Sequence, residues 1–144
     1  MATTAAITLA SDITSGFGGI TKTMTLTKAG AVTDIEETTG FSRRKLAATT
    51  AVDLITMANE LVEPSDNTAA KVYIQNIGDG KGSIDKTTYV TVSIGATAGT
   101  TQEVGRLYGG DWLLMPVTVV DDMDVVVAPS TNDAVVLEYT MFYE

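Results

Sequence analysis

Between residues 70 and 144 apolar and polar side chains alternate with a period of two. Lys71-Val72-Tyr73-Ile74-Gln75-Asn76 and Tyr89-Val90-Thr91-Val92-Ser93-Ile94 place every second residue on one face, the pattern of a half-buried strand. Further strands are predicted over 103–108, 111–115, 123–128 and 134–143, with turn residues at 95–99, Gly109-Gly110, 116–122 and 129–133 between them. Gly78-Asp79-Gly80-Lys81-Gly82 has the composition of a hairpin tip. Upstream, Thr21-Lys22-Thr23-Met24-Thr25-Leu26-Thr27 also alternates, with Met24 and Leu26 on one side and the threonines on the other.

The remaining segments read less uniformly. Ala5-Ala6-Ile7-Thr8-Leu9 suits a strand, and Ser15-Gly16-Phe17-Gly18-Gly19 then interrupts it. Residues 1–19 therefore read either as an edge strand with a loose turn or as an N-terminal arm that clasps a neighbouring subunit, on a single β-sandwich domain of residues 20–144. Ala31-Val32-Thr33-Asp34-Ile35 is strand-like, and Glu63-Pro64-Ser65-Asp66-Asn67 is a turn. Over 47–61, Leu54, Met57 and Leu61 fall at helical spacing, while Val52-Asp53-Leu54-Ile55-Thr56-Met57 suits a strand. The β-branched start favours the strand, with a single short helix as the alternative. Many short strands with closely spaced turns predict an all-β fold, a β-sandwich or jelly-roll-like domain with an extended N-terminal arm. The absence of an exact repeat argues against a solenoid or propeller.

Composition strengthens this reading. About one residue in six is Thr, whose branched Cβ packs well on a pleated surface. A chain of 144 residues needs no disulfide to hold one core, and it contains no Cys. Met1-Ala2-Thr3-Thr4 shows no basic n-region and no following apolar h-region, so no signal peptide is expected, and no apolar run reaches the length of a membrane span. The net charge of −9 makes nucleic acid and anionic membranes poor candidate partners.

The same composition narrows the chemistry. With neither His nor Cys, the chain lacks the usual neutral-pH general base, thiol nucleophiles and thiolate metal ligands. No catalytic residue, cofactor or metal is expected, and the protein is not expected to be an enzyme. Asp121-Asp122-Met123-Asp124 is the densest acidic cluster; it reads as a solvated turn rather than a cation site, because it lacks EF-hand spacing. The Gly78–Gly82 run places its Lys before the last Gly and leads into a strand, unlike a phosphate loop. Arg43-Arg44-Lys45 is the only basic cluster, suited to a charged strand edge or to docking on an acidic surface. Tyr73, Tyr108 and Trp112 suit a core, a subunit interface or a sugar-stacking platform.

Three segments resemble small structural proteins of tailed bacteriophages, of the head decoration or cement type. They are the strand Lys71–Asn76, the segment Gly105-Arg106-Leu107-Tyr108-Gly109-Gly110-Asp111-Trp112-Leu113-Leu114-Met115-Pro116, and the final Val136–Glu144. The resemblance covers about half the chain and implies a β-sandwich that sits on the outside of an icosahedral shell, often as a trimer. The expected partners are then the major capsid protein and further copies of this chain, with no direct nucleic acid and no membrane, and the expected location is the capsid exterior. Ile7, Leu9, Phe17, Arg43, Arg44, Tyr73, Tyr108 and Trp112 are the expected interface residues. A tail or fibre component and a carbohydrate-binding module are the alternatives.

Overall fold

The computed structural model describes residues 3–9, 20–26, 37–60, 69–96 and 100–143, with side chains described over 39–59, 69–96 and 100–143. In chain order these form β1 (Thr3–Leu9), β2 (Ile20–Leu26), β3 (Glu37–Thr38), β4 (Ser42–Leu46), β5 (Val52–Ile55), α1 (Met57–Glu60), β6 (Ala69–Asn76), β7 (Tyr89–Ile94), β8 (Gln102–Tyr108), β9 (Trp112–Thr118), β10 (Val125–Pro129) and β11 (Val135–Tyr143). The expected all-β class holds.

The strands pair in a simple order. β4 pairs with β11, β5 with β10, β6 with β9 and β7 with β8, all antiparallel. The chain from β4 to β11 is thus one long hairpin, doubled back between β7 and β8. It is rolled so that β5-β10-β7-β8 form one sheet, while β6 and β9 line up beside β11, which also holds β3 and β4, to form the other. From β4 to β11, every connection except β7 to β8 crosses between the sheets. This connectivity is a jelly roll, the more specific of the two expected architectures.

One core lies between the sheets. Val72 and Ile74 of β6 and Leu137 and Met141 of β11 meet Val90 and Val92 of β7 and Val125 and Val127 of β10, all fully buried. Burying each such side chain stabilises the fold by about 1.5–3 kcal/mol. Alternation along β6 is complete: Ala70, Val72, Ile74 and Asn76 are buried and the residues between them are half-buried.

Two bulges break the alternation elsewhere. In β5, Val125 faces Ile55 but Val126 faces Asp53, so Leu54 is an extra residue and both Leu54 and Ile55 are buried. In β8, Val92 faces Gly105 but Ser93 faces Glu103, which leaves Val104 as the extra residue, half exposed.

Several local expectations are revised. The strand expected from Val52 is present but ends at Ile55, and after Thr56 the short helix offered as the alternative follows as α1. The amide of Met57 donates to Asp124 Oδ1 at 2.7 Å, which caps the short helix. Gly78–Gly82 is not a hairpin tip, since β6 and β7 lie in opposite sheets and this loop carries the chain between them. The strand expected at 31–35 and the turn at 63–67 lie outside the described residues.

At the N-terminus β1 and β2 pair residue for residue, from Thr3 opposite Leu26 to Leu9 opposite Ile20, and form a two-stranded sheet of their own. Ile7 and Leu9 are on β1, whereas Phe17 lies outside the described residues.

Candidate interaction surfaces

The outer face of the five-stranded sheet carries a row of aromatic side chains. Antiparallel partners share a face, so Tyr73 of β6 looks outward with Thr140 of β11 on one side and Leu114 of β9 on the other. Trp112 of β9 stands opposite Gln75. The Tyr73 and Trp112 rings lie 6.2 Å apart with 34° between their planes, and Phe41 meets Tyr73 edge-on at 6.0 Å. Phe41 is 68% exposed and Trp112 44%.

Polar groups border this row. The Tyr73 hydroxyl donates to Gln75 Oε1 at 2.9 Å. Gln75 faces Glu138 across the β6–β11 pair, and Glu138 Oε2 accepts from Arg43 Nη2 at 2.8 Å and Arg43 Nε at 2.9 Å. Burial and the nearby Glu138 carboxylate hold the Tyr73 phenol above its usual range.

A second set of apolar groups gathers where β8 turns into β9. The amides of Gly109 and Gly110 donate to the carbonyls of Asp85 and Asn76, and the amide of Asp111 donates to Tyr108. Asp111 Oδ2 in turn accepts from the Tyr108 amide at 3.0 Å. Gly110 has φ +92°, and a Cβ on Gly109 would sit 2.2 Å from the Asp85 carbonyl oxygen. The Gly-Gly-Asp-Trp run is therefore the corner that takes the chain from one sheet to the other. Ile84 packs against it, 51% exposed. Tyr108 rests on Tyr89 at 5.3 Å, and the Arg106 guanidinium lies 4.7 Å above the Tyr89 ring. Arg106 also binds Glu103 at 3.0 Å, which raises its already high pKa, with Tyr89 adding to the effect.

The basic cluster does not form one patch. Alternation along β4 turns Arg43 and Lys45 outward, opposite Glu138 and Val136, and Arg44 inward, opposite Leu137. Arg44 Nη1 donates to the Asp53 carbonyl on β5, so it ties the open edges of the two sheets together. A cleft of ≈ 250 Å³ opens beside it, lined in part by Ser42, Arg44, Asp53 and Asn59.

The acidic groups are likewise dispersed. Asp124 is 5% exposed and committed to the Met57 amide, while Asp121 and Asp122 are exposed. Among the described residues no group of three His, Cys, Asp or Glu could hold a metal ion. In the β6–β7 loop, Asp79 Oδ1 accepts from the amides of Lys81 and Ser83, and Asp85 Oδ1 accepts from the Thr87 amide and hydroxyl. The bond from Lys81 dominates in pulling the Asp79 carboxyl below its ordinary range, and the Thr87 hydroxyl does the same for Asp85. The loop is thus tied together by its own carboxylates.

Of the expected interface residues, the structure brings Arg43, Tyr73 and Trp112 to one outer face, sets Tyr108 at the β8–β9 corner and turns Arg44 inward. Phe41, Ile84 and Val104 were not singled out in the sequence. Each is an exposed large apolar residue amid polar neighbours, which is the one signal that marks them.

The sequence matches no known protein family, and no curated protein is similar to it. Among solved structures the chain is similar to one from Bacillus endospore appendages, described as a novel family of disulfide-linked pili. The two share 18% identity with a TM-score of 0.38, over 78% of this chain and 95% of that one.

Proposed function

We propose that this chain is a structural protein of a virus particle: a decoration, or cement, protein that binds the outer surface of a bacteriophage head and strengthens it. The observation that carries the reading is the distribution of exposed apolar side chains. Among the described residues six large hydrophobic side chains are exposed, and four of them (Ile84, Val104, Tyr108 and Trp112) lie on β8, on β9 or against the corner between them. Both strands are the outermost of their sheets, so these residues line one edge of the sandwich. The Val104 bulge and Pro116 in β9 oppose the addition of another strand along this edge. Contact here is made by side chains against a folded partner.

The mechanism is mass action. A protein that binds only the assembled shell stabilises it by its binding free energy. A homotrimer presents three such edges, and their contacts add by avidity. The partners in this reading are the major capsid protein and further copies of the chain. Residues 1–19, with Ile7, Leu9 and Phe17, serve as an arm that clasps a neighbour. The acidic field favours an external position over packing against the genome, without nucleic acid or membrane contact. The chain has no enzymatic role, cofactor or metal in this account. The resemblance of Lys71–Asn76, Gly105–Pro116 and Val136–Glu144 to phage head decoration proteins agrees with it, as does the use of the jelly roll in capsid proteins.

Co-sedimentation of the purified protein with shells lacking it tests the proposal. Saturable binding at a symmetric copy number, lost in the double variant Tyr108→Ser and Trp112→Ser, is the expected result. Binding to tails and not to heads would replace this reading with that of a tail or fibre component.

A further inference from the structure

Phe41, Tyr73 and Trp112 lie in a row across the outer face of the five-stranded sheet, and the shell-binding edge uses only the last of them. We infer that this row, with Gln75 and Glu138 beside it, is a binding site for a neutral carbohydrate chain. The inference does not depend on the shell-binding reading: the two surfaces share Trp112, while Phe41, Tyr73 and Gln75 belong to the row alone.

Three features carry it. First, two of the rings form a shallow platform and the third bounds it. Tyr73 and Trp112 are tilted by only 34° at 6.2 Å, and Phe41 stands edge-on to Tyr73 at 6.0 Å and 77°, as a wall at the far end. An aromatic face is electron-rich, so it attracts the weakly positive C–H groups that cover one face of a pyranose ring. A protein anchor would instead project as a knob into a partner's pocket.

Second, a donor and an acceptor stand side by side next to the rings. Tyr73 occupies Gln75 Oε1, and among the described residues nothing binds Gln75 Nε2. On the facing position of β11, Arg43 occupies Glu138 Oε2, and no described residue binds Oε1. Adjacent sugar hydroxyls each donate and accept, so a vicinal diol can take one bond from the amide and give one to the carboxylate. A few fixed polar groups beside an apolar platform are the usual means of orienting a bound ligand.

Third, the charge selects against acidic sugars. Arg43 is already paired with Glu138, and the chain carries −9 overall.

Trp112 is the sole tryptophan, so tryptophan emission reports on its immediate surroundings in this row. The test titrates the full chain with soluble oligosaccharides of glucose, galactose, mannose and N-acetylglucosamine, and with an oligosaccharide of uronic acids. The expected result is a saturable change in emission with at least one neutral oligosaccharide at about millimolar concentration or below. Phe41→Ala and Gln75→Ala should each weaken that binding by about tenfold while shell co-sedimentation is unchanged. Phe41 lies outside the strands, so its variant keeps the fold, which circular dichroism verifies. No saturable response to any neutral oligosaccharide, a response confined to the uronic acids, or undiminished binding in both variants would overturn the inference.

Discussion

Asn76 of β6 donates from Nδ2 to the carbonyl of Leu107 on β8 at 3.0 Å, a hydrogen bond that crosses from one sheet of the sandwich to the other. Its Oδ1 accepts from the Gly78 amide at 3.0 Å, and its own backbone is bonded to Asp111 and Gly110 at the β8–β9 corner. A buried amide thus joins the two layers, the corner and the start of the β6–β7 loop. It is 1% exposed and fully partnered, so it costs little to bury.

Removing that amide leaves the Leu107 carbonyl and the Gly78 amide without partners in the interior. Asn76→Ala should cost about 2–3 kcal/mol of stability, read from urea unfolding. Asn76→Asp should be destabilised at neutral pH by a carboxylate facing a carbonyl. It should recover part of that loss relative to the parent on acidification, when the protonated carboxyl can donate again. An alanine variant as stable as the parent would show that the bond does not hold the layers together.

The corner glycines make a sharper contrast. A Cβ on Gly109 meets backbone, the Asp85 carbonyl oxygen at 2.2 Å, and backbone cannot swing aside. Gly109→Ala should therefore cost about 2–3 kcal/mol and disturb the placement of Tyr108 and Trp112. Gly82 has φ +102° but nothing within 4 Å of an added Cβ. Gly82→Ala should cost only about 1 kcal/mol, from backbone strain alone. Thermal unfolding of the two variants side by side checks the order.

The β6–β7 loop sets an acid limit. Hydrogen bonds to their ionised forms hold the carboxyls of Asp79 and Asp85 below the ordinary carboxylate range. A lowered folded-state pKa contributes stability that is present above the unfolded value and is lost as pH falls through the folded value. Stability should therefore fall as the pH drops below about 4. In the double variant Asp79→Asn and Asp85→Asn that part of the pH dependence should be smaller. Asp85 is exposed and Asp79 only half-buried, so the effect is modest and read as a change in slope.

Much of this architecture is legible in the chain because burial on one face imposes a period of two. Val72, Ile74, Val90 and Val92 announce both the strands and their inward faces. Where a bulge intervenes, as at Leu54-Ile55, two adjacent apolar residues are both buried and the pattern wavers between strand and helix. The loop at Gly78–Gly82 signals a reversal by its glycines, but composition does not tell which sheet the chain enters next. Arg43-Arg44-Lys45 looks like one basic patch until the pleat divides it.

The candidate surfaces were only partly legible for a related reason. Tyr73 and Trp112 stand out as aromatics in alternating strands, and they do lie together. Gln75, Glu138 and Phe41 join them through β6–β11 pairing and the approach to β4, contacts far apart in sequence. Asp124 appeared to be one of three solvated carboxylates and is instead the buried cap of α1. Only tertiary register reveals either relation.

The measurement that tests the central claim most directly is genome release from virus heads against temperature, with the protein present, removed, and restored as the parent chain or as the double variant Tyr108→Ser and Trp112→Ser. If the β8–β9 edge binds the outer shell, its contact energy must be lost before the head opens. Heads with the parent chain restored should then release their genome at a higher temperature than bare heads, and heads given the variant should behave as bare. Release profiles that coincide with and without the protein would contradict the account.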